Sequence, residues 1–347
     1  MKKHLVIAVT ALNAIDSPGP GVAVIRAIRE CKDFSVRIIG LSYEALEPGL
    51  YMHDLVDKTY QIPYPSGGTD SLMGRLEYIH ANEKLDLIIP NFDAELFNFI
   101  KLKDKLKSMG ISTFLPDFEQ FEARDKMKLY DFGQKHGFLV PQDKIIYEMR
   151  ELKKMEDELE YPVVVKGKFY DAIIARNFDQ VEKAYYKIAS KWGLPIILQD
   201  FIKGTEINIA ALGDGEGNAI SVIPMRKLYI TDKGKAWAGI TLDDDKLIAL
   251  AKKFVEKTKW RGGCELEVML TDDSKPYIME VNPRFPAWIY LTAAAGQNQP
   301  ASLVKMAMGE KVAPFETYET GKIFIRYAWD LITDIKEFQT ISGNGEL

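Results

Sequence analysis

Two short segments near residue 270 carry the side chains best suited to chemistry. Residues 264–270 (CELEVML) and 276–284 (PYIMEVNPR) flank the polar turn Thr271-Asp272-Asp273-Ser274-Lys275, and these lengths and turn residues predict a β-hairpin. Strand side chains alternate between faces. Glu265 therefore shares a face with Glu267, and Glu280 with Asn282, while Leu266, Val268, Met279 and Val281 take the opposite faces as core. A register that joins the acidic faces makes an all-oxygen cluster of Glu267, Glu280 and Asn282. Carboxylates packed so closely repel, and a cation resolves the repulsion. Hard oxygen donors favour Mg2+ or Mn2+ over zinc, and magnesium held by two or three side chains commonly completes its octahedron with substrate phosphates. The competing reading is a hairpin whose acidic residues simply face water.

Basic residues that suit phosphates come earlier in the chain. Lys166 ends the β-branched run Val163-Val164-Val165, where an ammonium is costly unless it meets an anion. Lys126 follows Asp125 at the start of a predicted helix, and a lysine is a compact point charge for phosphate. Each lysine alone also reads as a surface residue. Residues 198–206 (LQDFIKGTE) read as a strand running into a connection and a turn. Such a segment offers backbone C=O and N–H groups to an adenine edge, with Glu206 placed to accept from ribose hydroxyls, or it is an ordinary strand and charged turn.

Taken in order, Lys126, Lys166, Gln199 to Glu206, Glu267 and the motif Glu280-x-Asn282-Pro283-Arg284 resemble the ATP-grasp superfamily. The likeness is to its carbamoyl-phosphate-synthase-like and D-alanine-ligase-like members, over about residues 115–310. The resemblance implies two subdomains gripping ATP. Lys126 and Lys166 then contact phosphates, Gln199 and the backbones of Asp200 and Ile202 contact adenine, and Glu206 contacts ribose. Glu267, Glu280 and Asn282 hold Mg2+ (or Mn2+), and Arg284 stabilises the transferring phosphoryl group or acyl phosphate. Family members usually carry a glycine-rich flap after the second lysine. Here residues 166–172 (KGKFYDA) hold one glycine, which implies a short, less mobile flap in which Lys168 replaces backbone donors. The implied reaction activates a carboxylate as an acyl phosphate and joins it to an amine, with amino acid or peptide substrates. The alternatives are a phosphotransferase or carboxylase-type enzyme without amide formation, and a non-catalytic ATP-binding regulatory module.

Substrate contacts are less legible. Arg226 follows a predicted strand and suits bidentate carboxylate or phosphate binding, or a surface ion pair. Phe285, Pro286, Trp288 and Tyr290 wall an aromatic pocket or pack in the core. Asp93 and Glu95 face an acceptor amine, or Asp93 caps a helix. The turn at residues 17–21 (SPGPG) lacks dinucleotide-site spacing, and two prolines remove donors; a tight turn is its default.

The elements that must position these residues are α/β throughout. Apolar runs at residues 5–9, 36–41, 85–90 and 111–116 predict a parallel sheet, with a helix over 22–31 between the first two. Helices are expected over 118–136, 151–160, 178–192 and 243–260. Further strands are expected at 163–166, 195–199, 207–212, 219–226, 264–270 and 276–281. The fold expected is an N-terminal parallel-sheet domain (1–116), then an ATP-grasp fold in two subdomains (117–195 and 196–312). An extension (313–347) adds one strand and a polar end.

The 347 residues suffice for two or three domains. With 45 Lys+Arg against 50 Asp+Glu, a wholly basic nucleic-acid binder is excluded, but a local anion pocket is not. Two cysteines and four histidines make no disulfide framework or zinc site. No apolar run reaches the ~20 residues of a membrane span, and the N-terminus lacks signal-peptide features. A cytoplasmic enzyme with small-molecule or peptide substrates is expected, with no nucleic acid or membrane partner and with a possible homodimer.

Overall fold

The structure is a computed structural model that describes residues 3–14, 18–122, 124–168, 171–231 and 234–347. Elements are numbered in chain order. The chain begins with β1 (His4–Val9), α1 (Pro20–Glu30), β2 (Ser35–Ser42), β3 (Lys58–Gln61), α2 (Gly68–Glu83), β4 (Leu87–Ile89) and α3 (Asp93–Ser108). These strands form a sheet of order β3-β2-β1-β4, parallel throughout. Its strands are buried on both faces, which is why they read as unbroken apolar runs. Val24, Ile25 and Ile28 of α1 pack against Ile7, Val9 and Ile38 on one face. On the other face, Leu72, Leu76 and Ile79 of α2, with Leu96 and Phe99 of α3, meet Ala8, Ile39 and Ile88. Residues 111–116 are not the expected strand: only Ser112 bridges to Leu87. The turn expected at residues 17–21 lies partly outside the described residues, at Ser17. Its far side is tied back by Gly19 N–H to Asn13 O (2.7 Å) and Gly21 N–H to Ala11 O (3.1 Å).

The helix expected over 118–136 is two helices, α4 (Phe118–Glu122) and α5 (Leu129–His136). Asp125 causes the break. Its Oδ1 accepts Met127 N–H (3.0 Å) and its carbonyl accepts Lys128 N–H (2.8 Å), a turn that carries Lys126. Next come β5 (Asp143–Ile146), α6 (Met149–Lys154), β6 (Val163–Gly167), β7 (Ala172–Ala175), α7 (Phe178–Trp192) and β8 (Ile196–Asp200). The helix expected over 151–160 thus ends early, and a 3-10 turn follows at Glu156–Glu158. The four strands form an antiparallel sheet of order β5-β8-β6-β7. Asn177 Oδ1 caps α7, and Gly193 (φ 78°) ends it in the left-handed region.

The remaining elements are β9 (Thr205–Asp214), β10 (Ala219–Ile230), β11 (Ala236–Thr241), α8 (Asp245–Thr258), β12 (Arg261–Leu270), β13 (Pro276–Asn282), α9 (Tyr290–Ala294), α10 (Gln299–Ala307), β14 (Ile323–Ile325) and α11 (Ile335–Asn344). The strands make a sheet of order β13-β12-β9-β10-β11-β14. The polar end expected after β14 is instead the helix α11, whose Ile341 is fully buried. The final residue then joins the β3 edge: Thr59 N–H donates to Leu347 O (2.8 Å) and Leu347 N–H to Thr59 O (3.0 Å).

The packing divides into two compact units, Met1–Phe121 with Asn208–Leu266 and Asn282–Leu347, and Glu122–Ile207 with Glu267–Val281. This differs from the four consecutive segments expected, because β9, β12 and β13 each contribute residues to both units.

Candidate functional site

In the second unit, the two faces of the β5-β8-β6-β7 sheet have different jobs. Ile146, Val163, Val165, Ala175, Ile196 and Leu198 form a core with Val181, Ala184, Tyr185 and Ile188 of α7. The opposite face is mixed. Asp143, Gln199 and Val164 stand in one cross-strand row, and Lys166 lies in the next, opposite Ile197.

Lys166 is the centre of the charges here. Burial pushes its ammonium below the ordinary lysine value, and the Lys126 ammonium pushes it further; Glu280, Glu267 and Asp143 pull it back up. Lys126 Nζ lies 3.2 Å from Glu280 Oε2. The carboxylates expected from sequence to need a cation thus have two ammonium groups beside them. β13 is fixed in this unit through Leu139, whose carbonyl accepts Ile278 N–H (2.8 Å). Met279, expected in the core, is only half-buried, while Ile278 is fully buried.

Two acceptor oxygens in the same row are unmatched. Gln199 is 4% exposed, and among the described residues neither its Oε1 nor Asp143 Oδ2 meets a donor. Burial first, and then Asp131, push the Asp143 carboxyl up to about 6, with Asp200 adding to the rise and Lys166 opposing it. Buried polar atoms are rarely left unpaired, and this row has room in its bonding for a donor. Asp200 ends β8 with its N–H committed to Gln142 O (2.9 Å). Ile202, in the connection, and Glu206, at the start of β9, are half-buried. That connection passes so close to β12 that a Cβ on Gly204 would lie 2.4 Å from Leu270 O, so only glycine fits. Lys168 is half-buried just after β6. The expected flap lies partly outside the described residues, at Phe169 and Tyr170. Its return is anchored where Asp171 Oδ2 accepts Trp192 Nε1–H (2.8 Å) and Lys191 Nζ–H (3.1 Å).

The first unit holds a different polar cluster. Glu265 is 5% exposed and accepts from Asn208 Nδ2 (2.8 Å), Trp288 Nε1 (2.8 Å), Asn282 Nδ2 (3.2 Å) and Arg284 Nη1 (3.2 Å). Arg284 Nε in turn donates to Asp93 Oδ2 (3.1 Å). Glu265 is therefore not part of an open acidic face with Glu267; it is the buried hub that orients Asn282 and Arg284.

Residues 123–287 match the family model described as "ATP-grasp domain". Over these residues the chain is similar to ATP-grasp domains. Among curated relatives, the carbamoyl phosphate synthase large chain of Agathobacter rectalis is 24% identical over 284 residues, covering 75% of this chain and 25% of that protein. The D-alanine–D-alanine ligase of Clostridium botulinum is 29% identical over 189 residues, covering 49% of this chain and 60% of that one. The chain thus spans less than two thirds of either. Among solved structures, the biotin carboxylase–β,γ-ATP complex of Campylobacter jejuni aligns with a TM-score of 0.72 at 19% identity, over 92% of this chain and 74% of that one. The likeness at this identity is one of fold.

Within the matched residues, the second unit brings together Lys126, Lys166, Glu267 and Glu280. Asn282 and Arg284 belong to the first unit, as does Arg226. Arg226 is exposed and lies inside β10 opposite Ile240, not in a loop after a strand. Of the two readings for the aromatic residues after the hairpin, core packing is the one seen: Phe285 and Trp288 are buried, and Tyr290 lies under the Arg26 guanidinium (4.0 Å) and bonds Glu30. Glu95 does not await an amine. It is buried, takes Thr10, Tyr43 and the N–H groups of Asn91 (2.9 Å) and Phe92 (3.0 Å), and thereby caps α3. Among the described residues, no three or more His, Cys, Asp or Glu side chains group as metal ligands; the expected set has two carboxylates and an amide. Asp143, Asn208 and the burial of Glu265 had no signal in the sequence, because each depends on pairing between distant strands.

Proposed function

We propose that the protein is an ATP- and Mg2+-dependent ligase that activates a substrate carboxylate and joins it to an amine, with an amino acid or peptide as substrate. The observation that carries this reading is the second unit's pairing of ammonium groups with carboxylates beside a buried, unmatched Gln199 oxygen. The donor set fits the nucleotide. Lys126 and Lys166 hold phosphate oxygens, and a bound triphosphate returns to Lys166 the favourable charge that burial removes. Gln199 accepts from the base amine, the carbonyl of Asp200 and the backbone of Ile202 take the base edge, and Glu206 takes the ribose hydroxyls. Lys168 covers the phosphates. Glu267, Glu280 and Asn282 are oxygen ligands suited to Mg2+, which neutralises phosphate charge and polarises the transferring group when bound.

A substrate carboxylate oxygen attacks the γ-phosphorus, ADP leaves, and the amine then displaces phosphate from the acyl carbon. Arg284, locked between Asp93 and Glu265, presents a fixed fork to the acyl phosphate. Arg226 is the exposed guanidinium assigned to the incoming carboxylate. No side-chain nucleophile is needed; positioning and charge carry the rate.

Hydroxylamine tests the reaction class. Protein, Mg-ATP and pooled amino acids with hydroxylamine should yield ADP and hydroxamate together. ADP without hydroxamate would point to phosphotransfer or carboxylase-type chemistry, and ATP binding without ADP to a regulatory module.

A further inference from the structure

The six-stranded sheet ends at β14, and among the described residues no strand lies beyond it. Large apolar side chains gather at this edge of the first unit: Ile323 is 52% exposed, Ile325 71%, Tyr327 78% and Trp329 86%. They are odd-numbered, so in extended chain they share one face. The backbone has the same parity. Thr241 N–H donates to Lys322 O (2.9 Å) and Arg326 N–H to Trp237 O (2.9 Å). From Lys322 to Arg326, even-numbered residues therefore turn their backbone groups to β11 and odd-numbered residues turn theirs to the open edge; the proposed pairing continues that strand through Asp330. An open edge with large apolar side chains is a template for another strand.

We propose that residues 322–330 form a homodimer interface, in which two copies pair antiparallel, edge to edge, about a two-fold axis at Arg326. Open-edge groups must meet open-edge groups, so odd residues pair with odd residues, and the axis must pass through a residue. With the axis at Arg326, Ile323 faces Trp329, Ile325 faces Tyr327, and Lys322 faces Asp330 at both ends. Aliphatic–aromatic and opposite-charge pairs are favourable cross-strand partners. An axis at Ile325 or Tyr327 would set Lys322 opposite Ala328 or Ile332 and lose both charge pairs. The two Arg326 side chains do not confront each other at the axis. Each turns into its own unit, where Nη1 is buried and Glu265 acts on its charge. Lys322 already touches Glu319 at 2.8 Å on the exposed surface, a pair weak enough to yield to a new partner. The pairing is isologous, so it closes at two copies and removes the open edge from both.

Sedimentation equilibrium of the purified chain tests this. The wild-type chain should be dimeric. Lys322→Asp and Asp330→Lys should each weaken the dimer about tenfold or more, because like charges then face each other twice. An equimolar mixture of the two variants should recover wild-type affinity, since every pair again joins acid to base. Ile325→Lys, at the open edge, should leave the circular dichroism spectrum unchanged and the chain monomeric. A monomeric wild-type chain, a mixture no tighter than either variant alone, or an Ile325→Lys dimer of wild-type affinity overturns the proposal.

Discussion

Glu265 in the first unit and the Asp143–Gln199 row in the second both hold buried polar atoms, but they are matched very differently. Glu265 receives four donors from four residues. Asp143 and Gln199 each keep an oxygen that no described residue satisfies. Nearby, Lys166 is held under burial stress that Glu280 and Glu267 only partly offset. A fully matched carboxylate holds neighbours in place; unmatched acceptors and a stressed ammonium wait for something from outside. The difference separates residues that orient their neighbours from residues proposed to bind.

The largest test of this contrast is Glu265→Ala. Removing the hub strands Arg284 and leaves Asn208 and Trp288 without their acceptor, at a cost of about 3–5 kcal/mol in urea unfolding. A loss below about 1 kcal/mol, the scale of a surface pair, would show that the network does not hold the first unit together. Gln199→Leu should do the reverse in the second unit. Replacing an unmatched buried amide raises stability by about 1 kcal/mol, while ATP affinity falls about tenfold. Loss of both together would make Gln199 a structural residue.

A third test is in pH. The Asp143 carboxyl titrates in the folded chain at about 6, above an ordinary Asp value of about 3.9. The native state therefore holds the proton more tightly than the unfolded chain. The resulting stability is fully present below the ordinary value, is lost as pH rises through about 6, and then stays constant. Thermal melts across this range should show that decline in the wild-type chain and a flatter profile in Asp143→Asn. Identical profiles would place Asp143 in contact with water.

Local pattern made much of this fold readable. The apolar spacing of residues 178–192 matches α7 from end to end, and the β-branched run at 163–166 is β6. The hairpin of β12 and β13 followed from alternation and turn residues. What failed needed tertiary knowledge. Alternation placed Glu265 beside Glu267, but β12 is buried in the first unit at Glu265 and half-exposed in the second at Glu267. Asp143 gains meaning only when β5 pairs with β8, more than fifty residues later. Asp125, read as opening a helix, instead breaks it to present Lys126. Residues 335–344 looked merely polar, yet α11 needs just one buried face, through Ile341, and an Asp334 cap.

The central claim is that the ammonium and carboxylate groups of the second unit act together on a magnesium-bound nucleotide. Calorimetric titration with ATP, with and without Mg2+, tests it most directly when wild-type protein is compared with Glu280→Gln. Wild-type affinity should rise about tenfold or more with Mg2+, and this gain should vanish in Glu280→Gln. ATP affinity that ignores both the metal and the substitution would contradict the claim.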